Sequence, residues 1–107
     1  MRTFLLFIGL GLFGPTAIAL EANHVVVHQK GRIFSFGPDT AKKGQPITFL
    51  NDDSVPHNVI STSPGNEFDL GSQRPGTSTE VTFTKVGDVQ IICAIHPRMK
   101  MTISIVD

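Results

Sequence analysis

Apolar and polar residues alternate along the second half of this sequence, and no other feature constrains its fold as much. In residues 80–84 the even positions are polar and the odd positions are Val81 and Phe83. In residues 88–93, Cys93 shares one phase with two apolar residues. Alternation with period two is typical of half-buried β-strands, and no stretch shows helical spacing of apolar residues for three turns. The second run therefore predicts that Cys93 points inward.

Five further segments show the strand pattern, and turn residues separate them. They are residues 24–29, 32–36, 47–51, 58–61 and 102–106. Seven short strands with regular turn signals within about 90 residues predict an all-β fold with two packed sheets. The Gly-, Pro- and Ser-rich segment 63–79 is the least regular, and we expect it to be a long surface connection that could include one helical turn.

The first residues have the pattern of an export signal. Arg2 precedes an uncharged apolar run at residues 4–13, and residues 17–19 read Ala-Ile-Ala, which a signal peptidase cleaves. A run of about ten apolar residues is shorter than the roughly 20 that a membrane span needs. We therefore expect a signal peptide at residues 1–19 and one periplasmic domain, without a membrane span, at residues 20–107. The alternative is an uncleaved short anchor.

Charge and cysteine content narrow the class of protein. Nine Lys and Arg residues balance nine Asp and Glu residues, and the basic ones are scattered, which argues against nucleic-acid binding. Cys93 is the only cysteine, so this small domain cannot form an internal disulfide. Its thiol is then buried and inert, paired with another chain, or bound to a metal, which would also add folding free energy. We expect a monomer.

A thiol, an imidazole and two thioethers lie together after the strand pattern of residues 88–93. Residues 93–101 read Cys-Ala-Ile-His-Pro-Arg-Met-Lys-Met, and a second imidazole, His57, opens another predicted strand. Singly, each of these residues has an ordinary structural interpretation, such as a core cysteine or a gap-filling methionine. Two imidazoles, a thiolate and a long axial thioether are the ligands of electron-transfer copper sites. The combination predicts one copper ion bound by His57, Cys93, His96 and a methionine.

These motifs resemble those of the cupredoxins, and among them the plastocyanin and amicyanin group. Residues 41–49 and 51–59 are similar to the family's strand before the first ligand and to the segment that carries its first histidine. Residues 93–99 resemble the amicyanin ligand loop Cys-x-x-His-Pro-x-Met. The resemblance implies a cupredoxin-like, two-sheet Greek-key β-sandwich. It offers two candidates for the axial ligand, because Met101 fits the plastocyanin spacing and Met99 the amicyanin spacing. The amicyanin spacing leaves two residues before the predicted strand 102–106, which favours Met99, and Met101 would then pack over the site.

The resemblance further implies a type 1 (blue) copper protein that is not an enzyme and shuttles single electrons between a redox donor and a redox acceptor. It implies a hydrogen-bonding role near Cys93 for Asn58. Ile95 stands where the family more often has proline, so its N–H offers one more possible hydrogen bond to the thiolate. Ile92 stands where plastocyanins have a tyrosine that serves a distant partner site. The lack of that tyrosine favours partner docking at the exposed edge of His96.

Two other functions share these residues. The first alternative is a periplasmic copper-binding and delivery module without redox shuttling. The second is a zinc site, against which the methionine argues, since zinc prefers thiolate, imidazole and carboxylate ligands. His24 and His28 lie on the opposite phase from the valines of their predicted strand, so we expect them to face solvent rather than a metal.

Overall fold

The described part of the chain consists of β-strands and their connections. The structure is a computed structural model that describes residues 25–35 and 39–107. Within those residues there is no helix, and the nine strands are β1 Val25–Lys30, β2 Ile33–Ser35, β3 Thr40–Lys42, β4 Pro46–Asn51, β5 His57–Ser61, β6 Phe68–Gln73, β7 Ser78–Thr82, β8 Gly87–Ile92 and β9 Lys100–Val106. They form two sheets, which confirms the predicted all-β sandwich.

The two sheets share the strands unevenly. One has four strands in the order β2-β1-β4-β7, and the other has five in the order β3-β9-β8-β5-β6. The pairs β1–β4 and β3–β9 are parallel, and the other neighbours are antiparallel. The strands β7 and β8 carry the two alternating runs of the sequence. They lie in different sheets, so the turn between them carries the chain across the sandwich.

Inward-facing apolar side chains of both sheets fill the space between them. The ring of Phe68 lies between two buried rings, 5.9 Å by centroid from both Phe49 and Phe83. The buried apolar residues are Val27, Phe34, Ala41, Ile47, Phe49, Val59, Phe83, Val89, Ile91, Cys93, Met99, Ile103 and Ile105. Full burial of a large apolar side chain contributes about 1.5–3 kcal/mol. The core includes the whole predicted inward phase of residues 88–93, and Cys93 is 1% exposed.

The prediction for residues 63–79 is wrong. Instead of a long surface connection with a helical turn, this segment contains β6 and the first residues of β7. The alternation of β6 breaks at Gly71, which has a φ of +70° where the pairing with β5 shifts by one residue. A glycine in this conformation is typical of a β-bulge. Strand β3 also went unpredicted, since three residues are too few for alternation to be recognised.

Some predictions concern residues outside the described ranges. The signal peptide at residues 1–19 and the side chain of His24 are among them. Among the residues that are described, no helix has the length and apolar character needed to cross a membrane. His28 is exposed, as predicted, and its Nδ1 contacts the carboxylate of Asp52.

Candidate metal centre

Two neighbouring strands of the five-stranded sheet bring the predicted ligands together. His57 is the first residue of β5, and Cys93 directly follows the last residue of β8. These strands are antiparallel, with Ile60 opposite Ile92, so the start of β5 and the end of β8 lie at the same end of the sheet. His96 lies on the loop between β8 and β9. The topology therefore brings His57 to two residues that lie 36 and 39 positions further along the sequence.

The donor atoms of the three residues converge. Single donor atoms of His57, Cys93 and His96 all lie within 4.8 Å of one another. The two Nδ1 atoms are 3.1 Å apart, and His96 Nδ1 is 3.9 Å from Cys93 Sγ. A trigonal metal with bonds of about 2.1 Å to nitrogen and about 2.3 Å to sulfur has its donors about 3.6–3.8 Å apart. The arrangement therefore fits a metal ion, and its nitrogen and sulfur donors suit copper.

Burial differs between the two histidines. His57 is fully buried, whereas His96 is only partly buried and their rings meet edge to face with centroids 4.9 Å apart. His96 lines an open groove of about 470 Å³ together with Arg32, Pro97, Arg98 and Met99. The structure thus presents one imidazole to the surface and keeps the other in the interior.

Backbone hydrogen bonds close the loop around His96. The N–H of Met99 donates to the carbonyl of His96 over 2.8 Å, and the N–H of Cys93 donates to the carbonyl of Met99 over 3.1 Å. Met99 therefore lies beside Cys93 and is 1% exposed. Met101 pairs with Ile91 within the sheet and is partly buried against the core. The loop geometry places Met99, rather than Met101, next to the backbone of the thiol residue.

Asn58 reaches Cys93 through its backbone rather than its side chain. Its N–H donates to Cys93 Sγ over 3.3 Å. Its side-chain amide instead donates to Asp69 Oδ1 and to the Gly71 carbonyl of β6, at 3.1 and 2.9 Å. Among the described residues, Asn58 Oδ1 is buried without a hydrogen-bond partner, and no bond joins the N–H of Ile95 to the sulfur. The predicted link between the ligand segments is therefore made by one amide.

A carboxylate that the sequence analysis did not single out contacts His57. Asp53 Oδ2 lies 2.9 Å from His57 Nε2, on the side of the ring away from the other donors. The N–H of Arg32 donates to the same oxygen over 2.9 Å. These two bonds, that of Arg32 first, hold the pKa of Asp53 well below its ordinary value. The sequence itself shows only that this carboxylate lies four residues before the predicted ligand His57.

The chain is similar in sequence to a family of copper-binding proteins and to a methylamine utilization protein. The sequence model of the copper binding proteins, plastocyanin/azurin family, matches residues 22–106. The methylamine utilization protein MauL of Methylorubrum extorquens is 32% identical over 62 residues, which cover 57% of this chain and 54% of that protein. The chain thus spans about half the length of the curated relative that it matches.

Solved structures share the fold. A reduced mutant of amicyanin superimposes with a TM-score of 0.70 at 21% identity, over 78% of this chain and 82% of that one. A copper-containing nitrite reductase from Thermus scotoductus superimposes with a TM-score of 0.67 at 26% identity, over 78% of this chain and only 22% of the enzyme. The described domain therefore has the cupredoxin architecture, which occurs both as a single small protein and as one part of a larger enzyme.

Proposed function

Because the chain belongs to the plastocyanin/azurin family of copper-binding proteins, we propose that it is a type 1 copper protein that carries single electrons between redox proteins. The observation that carries this proposal is the convergence of two imidazole nitrogens and one thiol sulfur at one end of the sandwich. In this proposal His57, Cys93 and His96 are the copper ligands. Met99 would supply the fourth, thioether donor, because its carbonyl accepts a hydrogen bond from the N–H of Cys93 and its side chain is buried.

The chain's own part is to hold the donor atoms still. When bound, copper supplies a Cu(II)/Cu(I) couple that takes one electron from the donor protein and gives one to the acceptor, with no bond made or broken. Two hydrogen bonds hold Cys93. The N–H of Asn58 donates to its sulfur, and its own N–H donates to the carbonyl of Met99. His57 is held from behind by Asp53. Ligands fixed in this way need little rearrangement when the oxidation state changes, which favours fast transfer.

The half-buried ring of His96 is the proposed exit for the electron. It opens into the groove beside Pro97, and Ile95 next to it is 49% exposed. An apolar surface gives contact area without the desolvation cost of fixed ion pairs, which suits brief docking. We therefore place the docking surface for the redox partners around His96. A methylamine-oxidising system is the first donor to assay, because the curated relative is a methylamine utilization protein.

We further propose an exported, periplasmic monomer that acts as a carrier rather than as an enzyme. The apolar run at residues 4–13 and the Ala-Ile-Ala sequence after it support export. The match to the plastocyanin/azurin family of copper-binding proteins supports a carrier. The N-terminal sequence of the exported protein tests cleavage after Ala19.

Copper loading and visible absorption test the proposed function. The chain should bind one copper ion and show intense blue absorption from the copper–thiolate bond. Cys93→Ser should abolish the colour, because a hydroxyl cannot replace the thiolate. One bound copper without blue absorption would favour a delivery module over an electron carrier. A Cys93→Ser variant that stays strongly blue would contradict the ligand assignment.

A further inference from the structure

We propose that Asp53 is a positioning residue of the metal centre, whose carboxylate fixes the orientation, tautomer and donor strength of His57. The inference rests on the proposed copper site and concerns a residue outside its ligand set. It also joins the turn between β1 and β2 to the site, since the same carboxylate oxygen accepts hydrogen bonds from His57 and from the backbone of Arg32.

His57 needs a partner behind it because its side chain is fully buried. A buried imidazole N–H without an acceptor loses its hydrogen bond to water and gains nothing in return. Asp53 Oδ2, at 2.9 Å from Nε2, supplies that acceptor, and the carboxylate itself is only 14% exposed. An ionised carboxylate accepts hydrogen bonds but donates none, so Nε2 must carry the proton. In the neutral ring the lone pair on Nδ1 then faces His96 and Cys93.

The carboxylate of Asp53 is itself held in place. Its Oδ1 accepts a hydrogen bond from the N–H of Ser54 over 2.9 Å, and its Oδ2 accepts one from Arg32. The N–H of Asp53 donates to Asn51 Oδ1 over 2.9 Å, and Asn51 is fully buried. With both oxygens and the backbone bound, the carboxylate cannot turn away from the imidazole. The ring plane of His57 is thereby fixed from outside the ligand set.

The backbone conformation of Arg32 independently supports a rigid contact between this turn and Asp53. Arg32 has a φ of +58°, in the left-handed region that non-glycine residues rarely adopt. Its N–H is aimed at Asp53 from this turn. A conformation of this kind persists where the surrounding contacts determine it. The turn between β1 and β2, which also lines the groove beside His96, is therefore anchored to the residue that holds His57.

The expected consequence is a lower reduction potential. A hydrogen bond to an ionised acceptor is about twice as strong as one between neutral groups, and it increases electron density on the imidazole. A more basic Nδ1 stabilises Cu(II) more than Cu(I). Each tenfold change in the ratio of the two affinities corresponds to about 59 mV for a one-electron couple.

Three variants test the proposal, with Asp52 as the matched control. Asp53→Asn keeps an oxygen that can accept from both Arg32 and His57 but removes the charge, whereas Asp53→Ala removes the acceptor. Asp52→Asn removes the same charge one residue away, from a side chain that is 35% exposed and contacts His28 instead of a ligand. Voltammetry should give a higher potential for Asp53→Asn, by at least a threefold change in the affinity ratio, and a smaller change for Asp52→Asn.

A second measurement needs no copper. In the metal-free protein, nitrogen NMR should show the proton of His57 on Nε2, slow to exchange with solvent in the wild type and in Asp52→Asn. In Asp53→Ala the exchange should be at least tenfold faster. Equal potentials in the two asparagine variants, or unchanged exchange in Asp53→Ala, would overturn the proposal. If the wild type binds copper without blue colour, the proposed function fails while this measurement still decides the role of Asp53.

Discussion

The backbone N–H of Asn58 donates to Cys93 Sγ over 3.3 Å, so β5 and the end of β8 meet at the sulfur. The side chain of the same residue binds Asp69 and Gly71, which lie at the bulge of β6. The strands β5, β6 and β8 together thus position one atom, the sulfur of Cys93. The direction of the amide depends on the bulge, because the side-chain bonds fix the backbone of Asn58 against β6.

Removing the side chain of Asn58 should alter the colour as well as the stability. Asn58→Ala loses two hydrogen bonds at a site that is 8% exposed, at a cost of about 1–3 kcal/mol. Its amide should then bind the sulfur less firmly, and the copper–thiolate absorption should shift. Denaturant unfolding and visible spectra of the copper-loaded protein measure the two effects.

Asn66→Ala is the matched control for that variant. Asn66 is also 8% exposed, and its side chain binds the backbone of Thr84 and Lys85 rather than the site. It should lose comparable stability without a spectral shift. Equal shifts in both variants would mean that the colour follows general loosening of the fold and not the bond to the sulfur.

The axial position gives a second prediction. Met99→Leu should raise the reduction potential, because a weaker axial donor stabilises Cu(II) less. Met101→Leu should change it much less, since Met101 pairs with Ile91 inside the sheet, two residues further from the thiol. Voltammetry of the two isosteric variants compares them directly, at a cost in stability of less than about 1.5 kcal/mol each. The reverse order would assign Met101 as the axial ligand.

Much of this centre could be predicted because its ligands are of unusual types at fixed spacing. The inward phase of residues 88–93 was enough to place Cys93 in the core, where it is 1% exposed. The partner of His57 could not be found in the same way. A carboxylate in a turn has many possible orientations, and Asp53 is aimed at the ring only because Arg32, from another turn, binds the same oxygen. Such a contact depends on tertiary structure alone.

The fold, too, could be predicted from the sequence only in part. Alternation predicted the strands whose two faces meet core and solvent, but it says nothing about which strands pair. It therefore did not reveal that β7 joins β4 in one sheet while β8 joins β5 and β9 in the other. The bulge at Gly71 hid β6 completely, since one extra residue reverses the phase of inward and outward positions.

Asp69 should make the metal-free protein sensitive to acid. The pKa of its carboxyl is lowered from 3.8, first by the N–H of Gly71 and then by the amide of Asn58. The unfolded chain therefore binds this proton at higher pH than the folded one. The stabilisation is present above about pH 4 and is lost as the pH falls through the lower folded value.

Unfolding of wild type and Asp69→Asn between about pH 6 and pH 2.5 measures that contribution. The wild type should be the more stable of the two at pH 6, and the difference should shrink below about pH 4. The metal-free protein is used because protonation of copper ligands would add its own pH dependence. A difference that stays constant over the whole range would show that the lowered pKa of Asp69 contributes nothing to stability.

The final prediction concerns the proposed docking surface around His96. Ile95 is 49% exposed beside the ring, so Ile95→Asp places a charge on this surface without disturbing the core. The charge must lose its hydration when a partner docks there, and we expect electron exchange with a redox partner to slow by about tenfold, equivalent to about 1.4 kcal/mol in the barrier. Met101 is less suitable for this test, because it is partly buried against the core and a charge there would also destabilise the fold.

Val86→Asp provides the control for Ile95→Asp. Val86 is 47% exposed, but it precedes β8 and therefore lies at the opposite end of that strand from the ligand loop. Both variants add the same charge to a comparably exposed apolar residue, so the change in net charge is the same. Stopped-flow rates should fall for Ile95→Asp alone, with the blue absorption of both variants unchanged. Arg32 and Arg98 line the groove beside His96 and attract an acidic partner, so with such a partner the wild-type rate should also fall as salt is added. Equal rates in the two variants would move the electron exit away from His96, and the next residue to test would be Ile92, which is 37% exposed on the outer face of β8.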